Sequence, residues 1–179
     1  SAIGIPVGIL SARHPGLRRI VRNTIDTLQT LPSFVYLIPV VMLFAVGDFS
    51  AMIAIVLYAL APAVRYADHG IRKVRPGIIE AGTMAGCKPS QLLWKVQLPL
   101  AMPELMLGLN QTIMMALSML VITALVGTND LGQEVYIALT RADIGQGVVA
   151  GLCVAFIAMI ADRLISAWAE ERKRQLQLD

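Results

Sequence analysis

Charge in this chain is gathered into short clusters, and the long stretches between them carry almost none. Residues 27–47, 50–64 and 105–126 are uncharged runs of 21, 15 and 22 residues, and residues 146–169 hold charge only at Asp162 and Arg163. A helix rises about 1.5 Å per residue, so 22 residues reach about 33 Å, enough to cross a hydrocarbon layer about 30 Å thick. About a quarter of the residues in an ordinary soluble domain are charged. Here 15% are charged and 56% are hydrophobic. The pattern predicts an all-α, polytopic transmembrane helical bundle. The run at 50–64 is short for a crossing, and Arg65 and Tyr66 extend it by reaching to the interface. Pro32 and Pro39 are expected to kink the run at 27–47 or delay its start.

The chain opens with SAIGIPVGIL, read as the tail of a span whose beginning lies outside the sequence. The expectation is one transmembrane domain over 1–179, with four full spans and one truncated span. Residues 11–19 form the first break around the turn pair Pro15-Gly16, and Gly47-Asp48 is a tight turn. Residues 127–145 read as a polar connection, and EERKRQLQLD as a charged, frayed tail. Residues 76–103 differ in kind, mixing polar and apolar residues with proline at both ends. They are read as two short helices outside the lipid, joined near Gly86, the first starting at Pro76 and the second stopping at Pro99.

Orientation follows from the basic residues. If successive connections alternate across the membrane, fourteen of the fifteen Lys and Arg fall on one side, and only Arg141 lies opposite. The excess of positive charge on the inner side makes that side cytoplasmic, and the C-terminus with it. The net charge of +3 does not point to nucleic acid, because the basic residues flank apolar runs instead of covering a polar face.

The cytoplasmic segment carries the most specific pattern: Glu80-Ala81-Gly82, then Gly86, then Val96, Leu98 and Pro99. Two short helices meeting at a glycine make a rigid knob, since glycine accepts positive φ and leaves no side chain in the way of a docking partner. Ala81 and Ala85 allow close approach, Glu80 offers a carboxylate, and Leu92, Leu93 and Val96 would hold the second helix to the bundle. The plain alternative is an amphipathic connector between spans. The pattern resembles the EAA signature of ABC importer permeases, with Gly82 in place of the second alanine and Val96 in place of isoleucine.

The resemblance extends to DTLQTLP at 26–32, FVYLIP at 34–39, GIRKV at 70–74, KVQLPLAMP at 95–103, NQT at 110–112 and ALSM at 116–119. These are similar to permeases for glycine betaine, proline betaine and choline. The resemblance implies a type I permease fold with a cytoplasmic coupling-helix segment at 76–103, in a bacterial inner membrane. It implies a homodimer of permeases, cytoplasmic ABC ATPase subunits that hold ATP-Mg, and an extracytoplasmic substrate-binding protein or domain. This chain itself is expected to bind no cofactor. The coupling residues so implied are Glu80, Ala81, Gly82, Gly86, Cys87, Pro89, Leu98 and Pro99.

Polar groups inside the spans must find partners or water. Asn110, Gln111, Thr112 and Ser118, with Tyr36, are candidates for a translocation path. The alternative for the polar set is hydrogen bonding between helices, and for Tyr36, Phe34 and Tyr58 it is core packing in place of cation–π contact with a methylated ammonium. Gly4-xxx-Gly8 and Gly147-xxx-Gly151 suit close helix contacts.

His14 and His69 are far apart in sequence, Cys87 and Cys153 have no metal-site spacing, and no GxxxxGK[ST] loop exists. Neither a metal site nor ATP binding by such a loop is expected. Other readings are a permease for another small solute such as an amino acid or a sulfonate, a passive osmotic channel, and an intramembrane enzyme. The enzyme reading would need converging acids, bases or ligands at depth, and the last span offers only Asp162.

Overall fold

The structure, a computed structural model, describes residues 2–175. Among them there is no strand. The helices in chain order are α1 (Gly4–Arg13), α2 (Pro15–Thr30), α3 (Ser33–Phe44), α4 (Asp48–Lys73), α5 (Pro76–Met84) and α6 (Pro89–Leu92). A π turn at Leu93–Gln97 follows, then α7 (Leu98–Thr123), a 3-10 turn at Ala124–Val126, α8 (Leu131–Arg141) and α9 (Ile144–Gln175). The helix α4, the helical stretch Pro89–Val126 and α9 are each long and apolar enough to cross a membrane.

Several boundaries differ from the sequence expectation, each for a local reason. The uncharged run at 27–47 is no single rod: the chain breaks at Leu31-Pro32, and the helices on either side are bent by 98°. Pro32 has no N–H to continue α2, and its carbonyl accepts from the Val35 N–H at 2.9 Å as α3 begins. With 12 residues, α3 reaches only about 18 Å, so it counts toward a fourth crossing only together with α2. The break expected over 11–19 shrinks to His14 between α1 and α2. The connection at 127–145 carries α8, capped by the Asp130 side chain, which accepts from the Gln133 N–H at 3.0 Å. The charged tail is helical through Gln175; residues 176–179 lie outside the described residues.

Pro99 does not stop a helix. The Leu98 N–H bonds back to the Leu93 carbonyl, five residues away, so the ladder widens for one turn just ahead of the proline. In an unbroken α-helix the Pro99 ring would press on the carbonyl of Lys95. The wider turn lets α6 run on into α7 as one continuous helical stretch.

The described chain divides into two compact units. The first comprises Ser1–Thr24, Pro62–Gln111 and Leu164–Asp179. In it α1 lies directly against α4. A Cβ at Gly8 would stand 2.5 Å from both the Ala67 Cβ and the Val64 carbonyl oxygen, so the approach requires glycine. The buried Ser11 Oγ lies 2.9 Å from the Gly8 carbonyl and 3.0 Å from Asp68 Oδ1, and Arg18 Nε lies 3.5 Å from Asp68 Oδ2. α4 meets α7 at two further glycines, with Gly70 against Ala101 and Glu104 and Gly108 against Tyr66, and Lys73 pairs with Glu104. Every Lys and Arg except Arg141 and Arg163 belongs to this unit.

The second unit comprises Ile25–Ala61 and Thr112–Arg163. Its core joins Tyr36 and Leu37 of α3, Ala51 and Ala54 of α4, Met119 of α7 and Val126. The small residues of α4 let the larger Tyr36 and Met119 fill the space between helices. Gly132 opens α8 where a Cβ would strike the Leu120 carbonyl at 2.5 Å. Gly147 makes an ordinary contact with Ala138, whereas Gly151 faces open space, so the second glycine pair is not used as Gly8 is.

Candidate functional site: an exposed helical elbow

The segment from Pro76 to Leu92 is an elbow of two short helices in the first unit. Pro76 occupies the first turn of α5, where its missing N–H costs nothing and its fixed φ suits the helix. α5 has no buried residue. Ile78, Met84, Ala81 and Ala85 are all exposed, with Met84 at 89%. Exposed apolar residues gathered on one short helix are the kind of surface that interaction sites use.

The bend is a Schellman turn. The Gly86 N–H donates to the Thr83 carbonyl at 3.0 Å, and the Cys87 N–H donates to the Gly82 carbonyl at 3.1 Å. Gly86 stands at φ +79°, a conformation that side-chain-bearing residues adopt only with strain, and no atom lies near its missing Cβ. α6 restarts at once. Pro89 takes its first position, and the Lys88 backbone N–H donates to Gln91 Oε1 at 2.9 Å.

The two arms touch where Gly82 faces Leu92, whose Cδ1 would lie 2.6 Å from a Cβ on Gly82. This gives the departure from alanine at position 82 a physical setting: the larger residue meets the end of a flexible leucine. Gly82→Ala is therefore expected to leave the thermal unfolding midpoint nearly unchanged, with Leu92 changing rotamer, because a side-chain tip gives way more cheaply than backbone. A clear drop in the midpoint of the Gly82→Ala protein would contradict this.

The root of the elbow is buried. Leu93 packs with Ile71 of α4 and Ala101 of α7, and Ile9, Ala12 and Leu98 close around them. Leu92 is also buried and Val96 is half-buried. Glu80, Ala81, Gly86 and Pro89 are exposed, Gly82 and Cys87 half-buried. Leu98 and Pro99 are half-buried in the first turn of α7, beyond the π turn and away from the exposed arm.

Of the candidate path residues, Asn110 and Gln111 belong to the first unit and Tyr36, Thr112 and Ser118 to the second. Tyr36 is buried with its ring edge-on to Tyr58, centroids 5.7 Å apart, and its hydroxyl donates to the Leu28 carbonyl at the α2–α3 break. Thr112 is buried, Asn110 half-buried, and Gln111 and Ser118 exposed. α7 turns Met119 into the core around Tyr36 and leaves its neighbour Ser118 facing outward, where the Ser118 Oγ donates to the Met114 carbonyl at 3.0 Å. Phe34 is exposed, outside the Tyr36 cluster.

The chain is 48% identical over 175 residues to the trimethylamine N-oxide transport system permease protein TmoV of Pelagibacter ubique, which covers 97% of this chain and 24% of that protein. It is 46% identical over 165 residues to the glycine betaine/proline betaine transport system permease protein ProW of Salmonella typhimurium, covering 92% of this chain and 47% of the relative. The chain thus spans about a quarter to a half of these relatives' length. In fold it is similar to the MetNI methionine ABC transporter in an inward-facing conformation, with a TM-score of 0.84 at 20% identity, covering 96% of this chain and 86% of that one. That likeness makes the helical arrangement a type I ABC permease fold. Residues 4–173, which include the elbow and, among the described residues, all but the last two residues of the three helical stretches long enough to span a membrane, match one family, and the chain belongs to it: the binding-protein-dependent transport system inner membrane components.

Proposed function

We propose that this chain is the membrane-spanning permease of an ATP-driven importer for a small solute with a methylated ammonium centre, such as glycine betaine, proline betaine or choline. One observation carries the reading: an exposed apolar arm, turned at a positive-φ glycine and rooted in the bundle core, at the register of the EAA signature. Such a knob suits a cytoplasmic ATPase subunit that changes shape on binding ATP-Mg. The movement enters through α5 and α6 and passes by way of Leu93 to α4 and α7, shifting the bundle between inward and outward access.

In this reading the chain acts as one transmembrane domain with a second copy of itself. An extracytoplasmic binding protein or domain delivers the solute. The elbow and the C-terminus face the cytoplasm, in keeping with the basic residues gathered in the unit that holds both. The solute class is supported by the names of the relatives, which include betaine permeases and a trimethylamine N-oxide permease. Both kinds of solute carry a methylated nitrogen.

Reconstitution of the full permease with its ATPase and binding protein tests this. Glycine betaine, choline or trimethylamine N-oxide is expected to stimulate ATP hydrolysis and uptake. Stimulation by methionine alone would overturn the solute class. Uptake without any ATPase subunit would overturn the importer.

A further inference from the structure

We propose that Arg13 is a positioning residue for the elbow, tying α6 to the end of α1. This rests on the coupling role proposed above. Arg13 is in the last turn of α1, and its Nη2 donates to the carbonyl oxygen of Pro89, the first residue of α6, at 3.2 Å. That carbonyl also accepts the Leu93 N–H, so the guanidinium uses its second lone pair and costs the helix nothing.

The anchor behind Arg13 is firm. Two residues earlier Ser11 is buried against Asp68, and three residues before that Gly8 is seated on the backbone of α4. Ile9 and Ala12, on the same helix, close the apolar cluster around Leu93. The end of α1 thus grips the elbow twice, once through the packing at Leu93 and once through the polar bond at Pro89. α5 has no buried residue, and its contact with Leu92 through Gly82 lies within the elbow itself, so that contact cannot resist rotation of the whole elbow about its root. The Arg13 bond lies outside the apolar cluster and adds to the resistance that the continuous helix from Pro89 to Val126 supplies. A push on the exposed arm then reaches α1 and α4 as well as α7.

The test uses the full permease assembled with its ATPase and binding protein in lipid nanodiscs. Arg13→Met keeps the aliphatic stem and removes the donors. Solute moved per ATP hydrolysed is expected to fall about fivefold, the effect of losing one solvent-facing hydrogen bond that holds the seated state. Assembly with the ATPase is expected to persist, and Arg13→Lys to recover most of the ratio, since an ammonium can still donate to the carbonyl. A wild-type ratio in Arg13→Met, or a loss that Arg13→Lys shares in full, overturns the proposal.

A second measurement needs no activity. A nitroxide at Cys87 in a Cys153→Ala background is expected to move more freely in Arg13→Met than with Arg13 in place. An unchanged spectrum overturns the tether. The two levels of failure are distinct: if the wild-type permease shows no ATP-coupled uptake, the coupling role itself fails, whereas coupled wild type with indifferent Arg13→Met removes only the role of Arg13.

Discussion

Gly86→Asp is expected to abolish the proposed ATP-driven uptake, to below about a tenth of wild type, while the protein still inserts and assembles as a membrane protein. Two effects act together. Position 86 sits at φ +79°, where a side-chain-bearing residue is strained by about 1–2 kcal/mol, though aspartate tolerates that region better than most. The larger effect is the carboxylate itself. It adds charge and volume at the apex of an apolar arm that must be desolvated when a partner docks, and an uncompensated charge there costs several kcal/mol. Gly86→Ala separates the two contributions. Open space surrounds the missing Cβ, so alanine adds strain without charge and should retain a substantial part of the uptake. Uptake assays on the two variants, normalised to membrane content, check the order wild type, alanine, aspartate. Wild-type uptake by an assembled Gly86→Asp protein would remove the elbow from the coupling route.

Gly8→Val is expected to damage the protein by another route, through the fold. A Cβ at Gly8 would meet the Val64 carbonyl oxygen at 2.5 Å as well as the Ala67 Cβ, and backbone cannot swing aside as a side-chain tip can. α1 must lift from α4, which also parts Ser11 from Asp68. Overpacking of this kind typically costs about 1–3 kcal/mol, and a β-branched residue falls at the upper end. Thermal unfolding of the purified protein in detergent should show a clear drop in midpoint, and a greater one than Gly151→Val, since Gly151 faces open space. Equal midpoints for the two variants would mean that the α1–α4 approach is not as close as described.

The comparison of the two glycine pairs shows where sequence pattern stops being informative. Gly4-xxx-Gly8 and Gly147-xxx-Gly151 look alike, yet Gly8 meets a helix so closely that a Cβ would clash, Gly147 makes only an ordinary contact, and Gly151 meets open space. Spacing reports that close approach is permitted, and the neighbour that takes the opportunity is decided elsewhere in the sequence. The elbow was more legible, because its signals are local. Pro76 at a helix start and Gly86 at the bend each act within a turn of their own position, whereas Leu93 at the root packs on α1 and α4. The bond from Arg13 to Pro89 joins residues 76 apart in sequence and left no periodic trace.

Two helices were hidden for opposite reasons. α8 has a proper start, with Asp130 followed three residues later by Gln133. Its end lacks the expected glycine: Ala142 takes φ +53° there, and the flanking polarity made the whole segment read as loop. The continuation of α6 into α7 was hidden because proline ordinarily ends a helix, and no residue in LWKVQ advertises that the ladder can widen to admit one.

That widened turn at Leu93–Gln97 fixes an angle. It holds one residue more than an α turn at the same place, and each residue in a helix accounts for about 100° of rotation about the axis. The compass bearing of the exposed arm, measured around the rod it grows from, therefore depends on how many residues lie in this stretch as well as on what holds its root. Removing a single residue there would close the widened turn and press the Pro99 ring on the carbonyl one turn back, so the rod would have to kink and the knob would turn away from whatever engages it.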